Sequence, residues 1–284
     1  MVLAGGPLLP MNFYWVYDLP NWLFAVLAMS AFVAFSTIGL WISRRLVLRW
    51  FGGHQYNDVV SFYLSTAGVF YGITLGLIAV GTFTTFTEID RGVSREAAAI
   101  GALYRNVGAY PEPARSELRR LMEDYTRFVI DEEWPKQRQG ALPPEGAERV
   151  TRLQESLGAF DPATEREKIL HAEALNQYNR LMEERRMRLQ SVRSGLPLTM
   201  YMVVIVGAAL NIMVSWLFVV NIFRLHVFLN MLMAALLGLL VYLIAVMDNP
   251  FRGEFSVGPD AFEYVRDRVM KTESPERSIR NRRH

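Results

Sequence analysis

Residues 59–87 read VVSFYLSTAGVFYGITLGLIAVGTFTTFT and contain no charged side chain. A helix rises about 1.5 Å per residue, so this stretch is longer than a bilayer hydrocarbon core of about 30 Å. An uncharged apolar run of this length predicts a transmembrane helix. Its extra length can be accommodated by tilt or by projection beyond the membrane.

Three glycines in this stretch recur every fourth residue: Gly68, Gly72 and Gly76. They share one helix face, where the absence of side chains lets another helix approach at backbone distance. One position further along the chain lies an aliphatic row, Val69, Ile73 and Leu77. Two interpretations remain open. The glycines either pack the helices of one subunit together, or they belong to a helix that lines a pore in an assembly.

Three more apolar blocks, at about 22–42, 196–220 and 225–247, are long enough to span a membrane. Hydrophobic residues make up 51% of the chain, and the mean hydropathy is +0.15. We expect the first block to stop at Arg44, Arg45 and Arg49, within a loop at 43–58. The predicted fold is therefore an all-α membrane protein with four transmembrane helices and a helical cytoplasmic insert between spans two and three.

This pattern predicts five segments along the chain. Residues 1–20 are an N-terminal interfacial segment. Tyr14, Trp15, Tyr17 and the adjacent Trp22 indicate either an interfacial aromatic belt or a short helix lying at the membrane surface. Residues 21–87 hold spans one and two, 88–195 the helical insert, 196–247 spans three and four, and 248–284 a cytoplasmic tail.

The insert has helical periodicity throughout. Span two is expected to continue as a helix until Pro111 and Pro113 end it. A second amphipathic helix comes next and is expected to stop at Pro135. A short helix carries Val150, Leu153 and Leu157, and Asp161-Pro162 is a suitable N-cap and first-turn pair for a long final helix.

Composition excludes several classes of function. The chain has no cysteine, so disulfides and thiol catalysis are excluded. Its 30 basic and 28 acidic residues show no basic stripe interleaved with aromatics, so nucleic acid is not an expected partner. No span contains a carboxylate or a lysine, which argues against a proton-driven transporter.

Enzyme signatures are also absent from the sequence. The four histidines are scattered, and neither HExxH, a Walker loop nor GxSxG occurs. The acidic pairs Glu132-Glu133 and Glu183-Glu184 are interpreted as solvated helix surface. We expect no catalytic residue, no metal site and no cofactor, and the chain is not predicted to be an enzyme.

Two stretches carry a family resemblance. They are YGITLGLIAVGTFTTFTEIDRGVSREAAAIGALYRNV at 71–107 and DNPFRGEFSVGPDAFE at 248–263. With four spans and a helical insert, the chain resembles the bacterial bestrophin-like family and, more distantly, the bestrophins. Bestrophins are oligomeric anion channels, pentameric in known members, whose second span lines a narrow hydrophobic neck.

The resemblance implies roles for particular residues. Leu75-Gly76-Leu77 resembles the Leu-Gly-aromatic step of the neck, which makes Val69, Ile73 and Leu77 the expected neck positions. An aliphatic ring of this kind can block ions by dewetting, although the same side chains would also serve as ordinary core. The hydroxyls of Thr74, Thr82 and Thr85 either line the pore or bond carbonyls of their own helix.

The second stretch forms a post-span motif of Asp248, Asn249, Pro250, Phe251, Arg252 and Glu254. Pro250 is expected to end span four, and Asp248 or Asn249 to cap the segment after it. Phe251 and Phe255 are expected to pack on the insert, and Arg252 and Glu254 to pair with its charges. Calcium-sensing bestrophins have a run of acids after Asn-Pro-Phe. Here Arg252-Gly253-Glu254-Phe255 stands at that place instead, which argues against a calcium site.

The sequence supports two functional hypotheses. The first is a homo-oligomeric channel, anion-permeable by analogy, whose partners are the lipid bilayer, its own copies (five by analogy) and inorganic ions such as chloride. The second is a non-conducting scaffold, or a stator-like subunit, that binds another protein through its insert. The excess of arginines flanking the insert and tail predicts a multi-pass protein of the bacterial inner membrane with both termini in the cytoplasm.

Overall fold

The computed structural model describes residues 13–51, 56–192 and 194–273. Within these ranges the regular structure is helical. A 3₁₀ helix spans Phe13–Asp18. The α-helices are α1 Asn21–Phe51, α2 Asn57–Val107, α3 Ala114–Phe128, α4 Trp134–Arg138, α5 Glu145–Gly158, α6 Glu165–Ser191, α7 Leu198–Ser215, α8 Phe223–Asp248, α9 Asp260–Tyr264 and α10 Lys271–Glu273. Two π-helical turns lie at Val129–Glu133 and Val265–Met270.

Four of these helices, α1, α2, α7 and α8, are long and apolar enough to cross a membrane. The all-α membrane fold with four spans is thus confirmed, and α3 to α6 lie between the second and third spans. The predicted end of the first block was wrong, because α1 continues to Phe51. Arginine is a good helix former, so Arg44, Arg45 and Arg49 extend the helix rather than end it.

Some predictions concern residues outside the described set. These are residues 1–12 of the interfacial segment, residues 52–55 of the predicted 43–58 loop, and residues 274–284 of the tail, with two of the four histidines, His54 and His284, among them. The side chains of Tyr14 and Trp15 also lie outside it.

The chain divides into two compact units. The first contains the described residues up to Phe83 together with Leu196–Asp248 and Arg252–Phe255. In it α1 and α8 pack closely, since a Cβ on Gly238 would stand 2.9 Å from the Cα of Met29. A small residue at such a crossing is typical of helix packing in membranes.

The second unit contains residues 84–195, Asn249–Phe251 and the described residues from Ser256 onward. Its core is apolar and aromatic, and the largest fully buried side chains include Tyr104, Tyr125, Phe251 and Phe262. The α3 helix supplies Leu118 and Met122, and α5 supplies Leu153 and Leu157. The apolar faces predicted for these two helices are therefore confirmed.

Two predicted helix boundaries in the insert were wrong. Pro135 does not stop the second amphipathic helix, because the π turn at Val129–Glu133 connects α3 to α4 and places the proline in the first turn of α4. The final helix of the insert begins after Thr164, which forms a reciprocal capping box with Glu167, and not at Asp161-Pro162.

Candidate pore-lining face

Contacts along one buried edge set the rotation of the first half of α2 about its own axis. Leu75 is buried in a cluster with Val204 and Ile244. The Tyr71 hydroxyl donates a 2.6 Å hydrogen bond to the Val204 carbonyl. The Tyr71 ring occupies the space that a Cβ on Gly207 of α7 would need. These contacts turn Tyr71 and Leu75 toward α7 and α8 and leave the opposite side of α2 uncovered.

The uncovered side carries the aliphatic row. Val69 is 60% exposed, Ile73 59% and Leu77 70%. With about 3.6 residues per turn these three positions form a narrow stripe roughly opposite Leu75. Further apolar side chains extend this exposed face: Phe62, Phe70, Val80 and Phe83. The structure therefore brings the three predicted neck residues together on one face that other parts of the described chain do not cover.

The glycine row flanks this face. A Cβ added at Gly72 or Gly76 would meet no atom of the described chain within 4 Å. At Gly68 the nearest atom would be Asn211 Oδ1, 3.8 Å away. Packing within residues 13–51, 56–192 and 194–273 of one subunit therefore does not account for Gly72 and Gly76.

Thr82 lies on a different face of α2 from Thr74 and Thr85, which are eleven residues apart and nearly in line. The hydroxyl of Thr74 donates to the Phe70 carbonyl at 2.9 Å. The hydroxyl of Thr82 donates to the Ile78 carbonyl at 2.9 Å, and its side chain is buried at 6% exposure. Thr85 is exposed. Thr82 thus lies on the side of α2 opposite Ile73, and neither Thr74 nor Thr82 has a free hydroxyl hydrogen for an anion.

The post-span motif begins with a buried carboxylate. Asp248, the last residue of α8, accepts the Leu196 amide at 2.5 Å and the Tyr201 hydroxyl at 2.8 Å. It therefore binds the start of the third span. The helix α8 ends here, immediately before Asn249 and Pro250, as the proline predicts.

The rest of the motif is divided between the two units. In the second unit, Phe251 is buried with its ring 5.7 Å from that of Trp134, so its predicted packing on the insert is confirmed. In the first unit, Phe255 is 43% exposed. Glu254 accepts the Asn21 amide at 3.0 Å and so caps the start of α1 rather than pairing with an insert charge. Gly253 has a φ of +81°, which favours glycine at that turn.

Sequence reasoning missed a buried ion network in the second unit. Arg188 binds both carboxylate oxygens of Glu96 at 2.6 and 3.0 Å, and Glu133 at 2.9 Å. Glu133 also binds Arg185 at 3.0 Å. The interpretation of Glu133 as solvated surface was wrong, because its side chain is fully buried. The signal available in the sequence was the i, i+3 spacing of Arg185 and Arg188 on the apolar face of α6.

The network changes the ionisation of its members. Burial would lower the pKa of Arg188, but Glu96 and Glu133 reverse this effect and hold the pKa well above its usual value. The Tyr125 hydroxyl donates to Glu96 at 2.9 Å. Burial first, and then the Glu96 charge, raise the pKa of Tyr125 well above its usual value. Arg188 is therefore a permanent cation and Tyr125 a permanent hydrogen-bond donor in the core of this unit.

Across residues 13–51, 56–192 and 194–273, no group of three or more histidine, aspartate or glutamate side chains is arranged to hold a metal ion.

Comparison with known proteins identifies a family. A family model described as Bestrophin-like domain matches residues 30–262. A crystal structure of a bacterial bestrophin homologue from Klebsiella pneumoniae, phased by Zn-SAD, is similar with a TM-score of 0.64 at 14% identity, covering 88% of this chain and 99% of that one. A point variant of that homologue gives a TM-score of 0.65 at 13% identity with the same coverage. No curated protein matches the chain.

Proposed function

The chain belongs to the bestrophin-like family, and we propose that it is a homo-oligomeric ion channel with α2 of each subunit around a central axis. The chain is a membrane protein with four candidate membrane-spanning helices. Oligomerisation, the axial position of α2 and the permeant ion are the proposed parts.

The observation that carries this proposal is the uncovered face of α2 beside its glycine row. An exposed aliphatic stripe can face either lipid or another protein chain. Gly72 and Gly76 favour another protein chain, because a helix that faces only lipid has no need for a backbone-deep notch. Neither glycine has a neighbour in the described part of its own chain. Copies of the same chain are the simplest occupants of that space.

In this arrangement Val69, Ile73 and Leu77 of each copy form the neck. A ring of aliphatic side chains excludes water from a narrow passage and raises the barrier to ions until the ring widens. We keep Thr85 as polar lining and leave out Thr82, because Thr82 is buried on the other side of α2.

The finer parts of the proposal rest on the family resemblance. It favours anions, chloride among them, and five subunits. Both termini lie on the cytoplasmic side of a bacterial inner membrane, as the arginines flanking the insert and tail favour. The post-span motif ties the third and fourth spans together through Asp248.

The test is reconstitution of the purified protein. The protein should conduct ions in planar bilayers, and native mass spectrometry should give one defined oligomer. Absence of current across varied salts and voltages, together with stoichiometric capture of another protein, would contradict the channel and favour a non-conducting scaffold.

A further inference from the structure

A small cavity in the first unit has the character of an anion site. It lies between the second half of α1, the α7–α8 connection and the start of α8. Arg44, Trp216, Val219 and His226 line it among apolar side chains. This lining contains no carboxylate, and Arg44 gives it a positive charge.

Two polar groups at the cavity lack acceptors. Arg44 forms no ion pair with any residue that the structure describes, and its guanidinium lies 3.9 Å from the ring centre of Phe223. The Trp216 indole N–H is buried and has no hydrogen-bond partner in the described chain. A buried donor without an acceptor costs about 1–3 kcal/mol. A positive charge and an unsatisfied N–H at one cavity favour a negatively charged occupant.

The surroundings hold these donors in place. The Trp216 ring lies against α1 where Gly39 provides room, since a Cβ there would overlap the indole. His226 is 7% exposed, and its Nε2 donates to the Ser215 carbonyl at 3.1 Å. The α7–α8 connection is pinned by Asn57, which accepts the Val219 amide at 2.9 Å and donates to the Val219 carbonyl at 2.8 Å. The cavity is thus built from fixed groups.

The cavity is small, with a volume of about 20 Å³. One guanidinium and one buried N–H are the donors that face an anion here. A monatomic halide is a small anion that two donors suffice to hold, and the test below includes a larger, phosphate-bearing occupant.

We propose that Arg44 and the Trp216 N–H bind a halide ion in this cavity. Its lining comes from α1, the α7–α8 connection and α8, so the site is separate from the α2 face. It is a structural anion site and does not depend on the proposed conduction pathway.

The experiment uses the full chain in phosphatidylcholine nanodiscs. Thermal unfolding is monitored as sodium chloride replaces sodium gluconate at constant ionic strength. Chloride should raise the unfolding midpoint saturably, because a ligand that binds only the folded state stabilises it. Arg44→Gln should weaken the apparent chloride affinity by about tenfold or more, as loss of a charged hydrogen bond does. Arg45→Gln, the matched control at an exposed neighbour, should keep the wild-type response.

A second variant and a direct measurement test the site even if Arg44→Gln does not fold. Trp216→Phe keeps an aromatic ring over Gly39 but removes the N–H, and should also weaken the response. Crystals soaked in sodium bromide should show an anomalous peak beside the Trp216 indole nitrogen. No saturable response in the wild type, or an equal response in Arg44→Gln, would overturn the proposal.

One further arm distinguishes the source of the negative charge. Chloride-free nanodiscs that contain phosphatidylglycerol supply an anionic headgroup without a halide. If these stabilise the wild type but not Arg44→Gln, and chloride has no effect, the site binds lipid phosphate and the halide assignment fails.

Discussion

Glu133 and Arg188 form an ion pair of 2.9 Å in the core of the insert, with side chains 0% and 1% exposed. Removing one member of a buried pair leaves the other charge uncompensated, at a cost of about 3–5 kcal/mol. Glu133→Gln keeps the shape but removes the charge that Arg185 and Arg188 share. We expect it to lower the free energy of unfolding by that amount, measured by denaturant titration of the purified protein.

The adjacent residue provides the control for this change. Glu132 is exposed and lies 4.0 Å from Lys136, so Glu132→Gln should cost less than about 1 kcal/mol. Equal effects of the two substitutions would show that the network does not stabilise the insert.

Gly146, at the start of α5, adjoins the same network. A Cβ there would stand 2.6 Å from Glu133 Oε1 and would overlap the Arg185 guanidinium. Gly146→Ala should therefore destabilise the protein by about 1–3 kcal/mol, as overpacking does. Gly158→Ala, on the same helix, meets nothing within 4 Å and should be neutral in the same unfolding measurement.

The glycine row of α2 predicts a defect of assembly without a defect of folding. A Cβ at Gly76 meets no atom of the described chain within 4 Å, so we expect each Gly76→Leu subunit to fold. The proposed packing between copies would be blocked, and native mass spectrometry should show loss of the oligomer. Gly207→Ala is the contrasting variant, because its Cβ overlaps the Tyr71 ring within one subunit and should lower the thermal midpoint. An intact oligomer of Gly76→Leu would contradict the axial position of α2.

The proposed neck predicts a change in conductance. Ile73→Ala removes bulk from the centre of the aliphatic row and should weaken the dewetted barrier, raising single-channel conductance or open probability about twofold or more. Ile205→Ala makes the same chemical change at an exposed position of α7 and should leave conductance unchanged. Identical conductance of the two variants would contradict the placement of Ile73 in the conduction pathway.

We expect the two hydrogen bonds that Asp248 accepts to stabilise the packing of the third and fourth spans. Asp248→Ala leaves the Leu196 amide and the Tyr201 hydroxyl without their acceptor. The expected loss of stability is about 1–3 kcal/mol, and Tyr201→Phe should lose less because the amide bond remains. Thermal unfolding in detergent measures both, with Asp161→Ala in an exposed loop as the control. Equal stability of the Asp248 and Asp161 variants would contradict this role.

Long-period features of the fold were predictable from the sequence. Four uncharged apolar blocks of about 20 residues or more predict membrane spans. The helical periodicity continues unbroken up to Pro111, which predicts that α2 extends out of the span, as it does to Val107. The post-span proline ended α8 as predicted, since proline removes the next amide donor.

Features set by tertiary contacts were not predictable in this way. Glu133 looks like one half of a surface acidic pair until α6 brings Arg185 and Arg188 to it. Pro135 looks like a helix stop until the π turn places it in a first turn. The spacing of Thr164 and Glu167 fits a capping box, but the sequence analysis assigned the start of this helix to Asp161-Pro162 alone. The exposure of the α2 face depends on Tyr71 meeting Gly207 on a helix far along the chain.

The Asp248 carboxylate also bears on the order in which contacts form along the chain. The α7 and α8 hairpin is joined at one end by its short connection and at the other by the bond from Leu196 to Asp248, 52 residues later. During synthesis, the Leu196 amide therefore lacks its acceptor until Asp248, the last residue of α8, has been added. The contact that closes this end of the hairpin can therefore form only after the whole of α8 has been made.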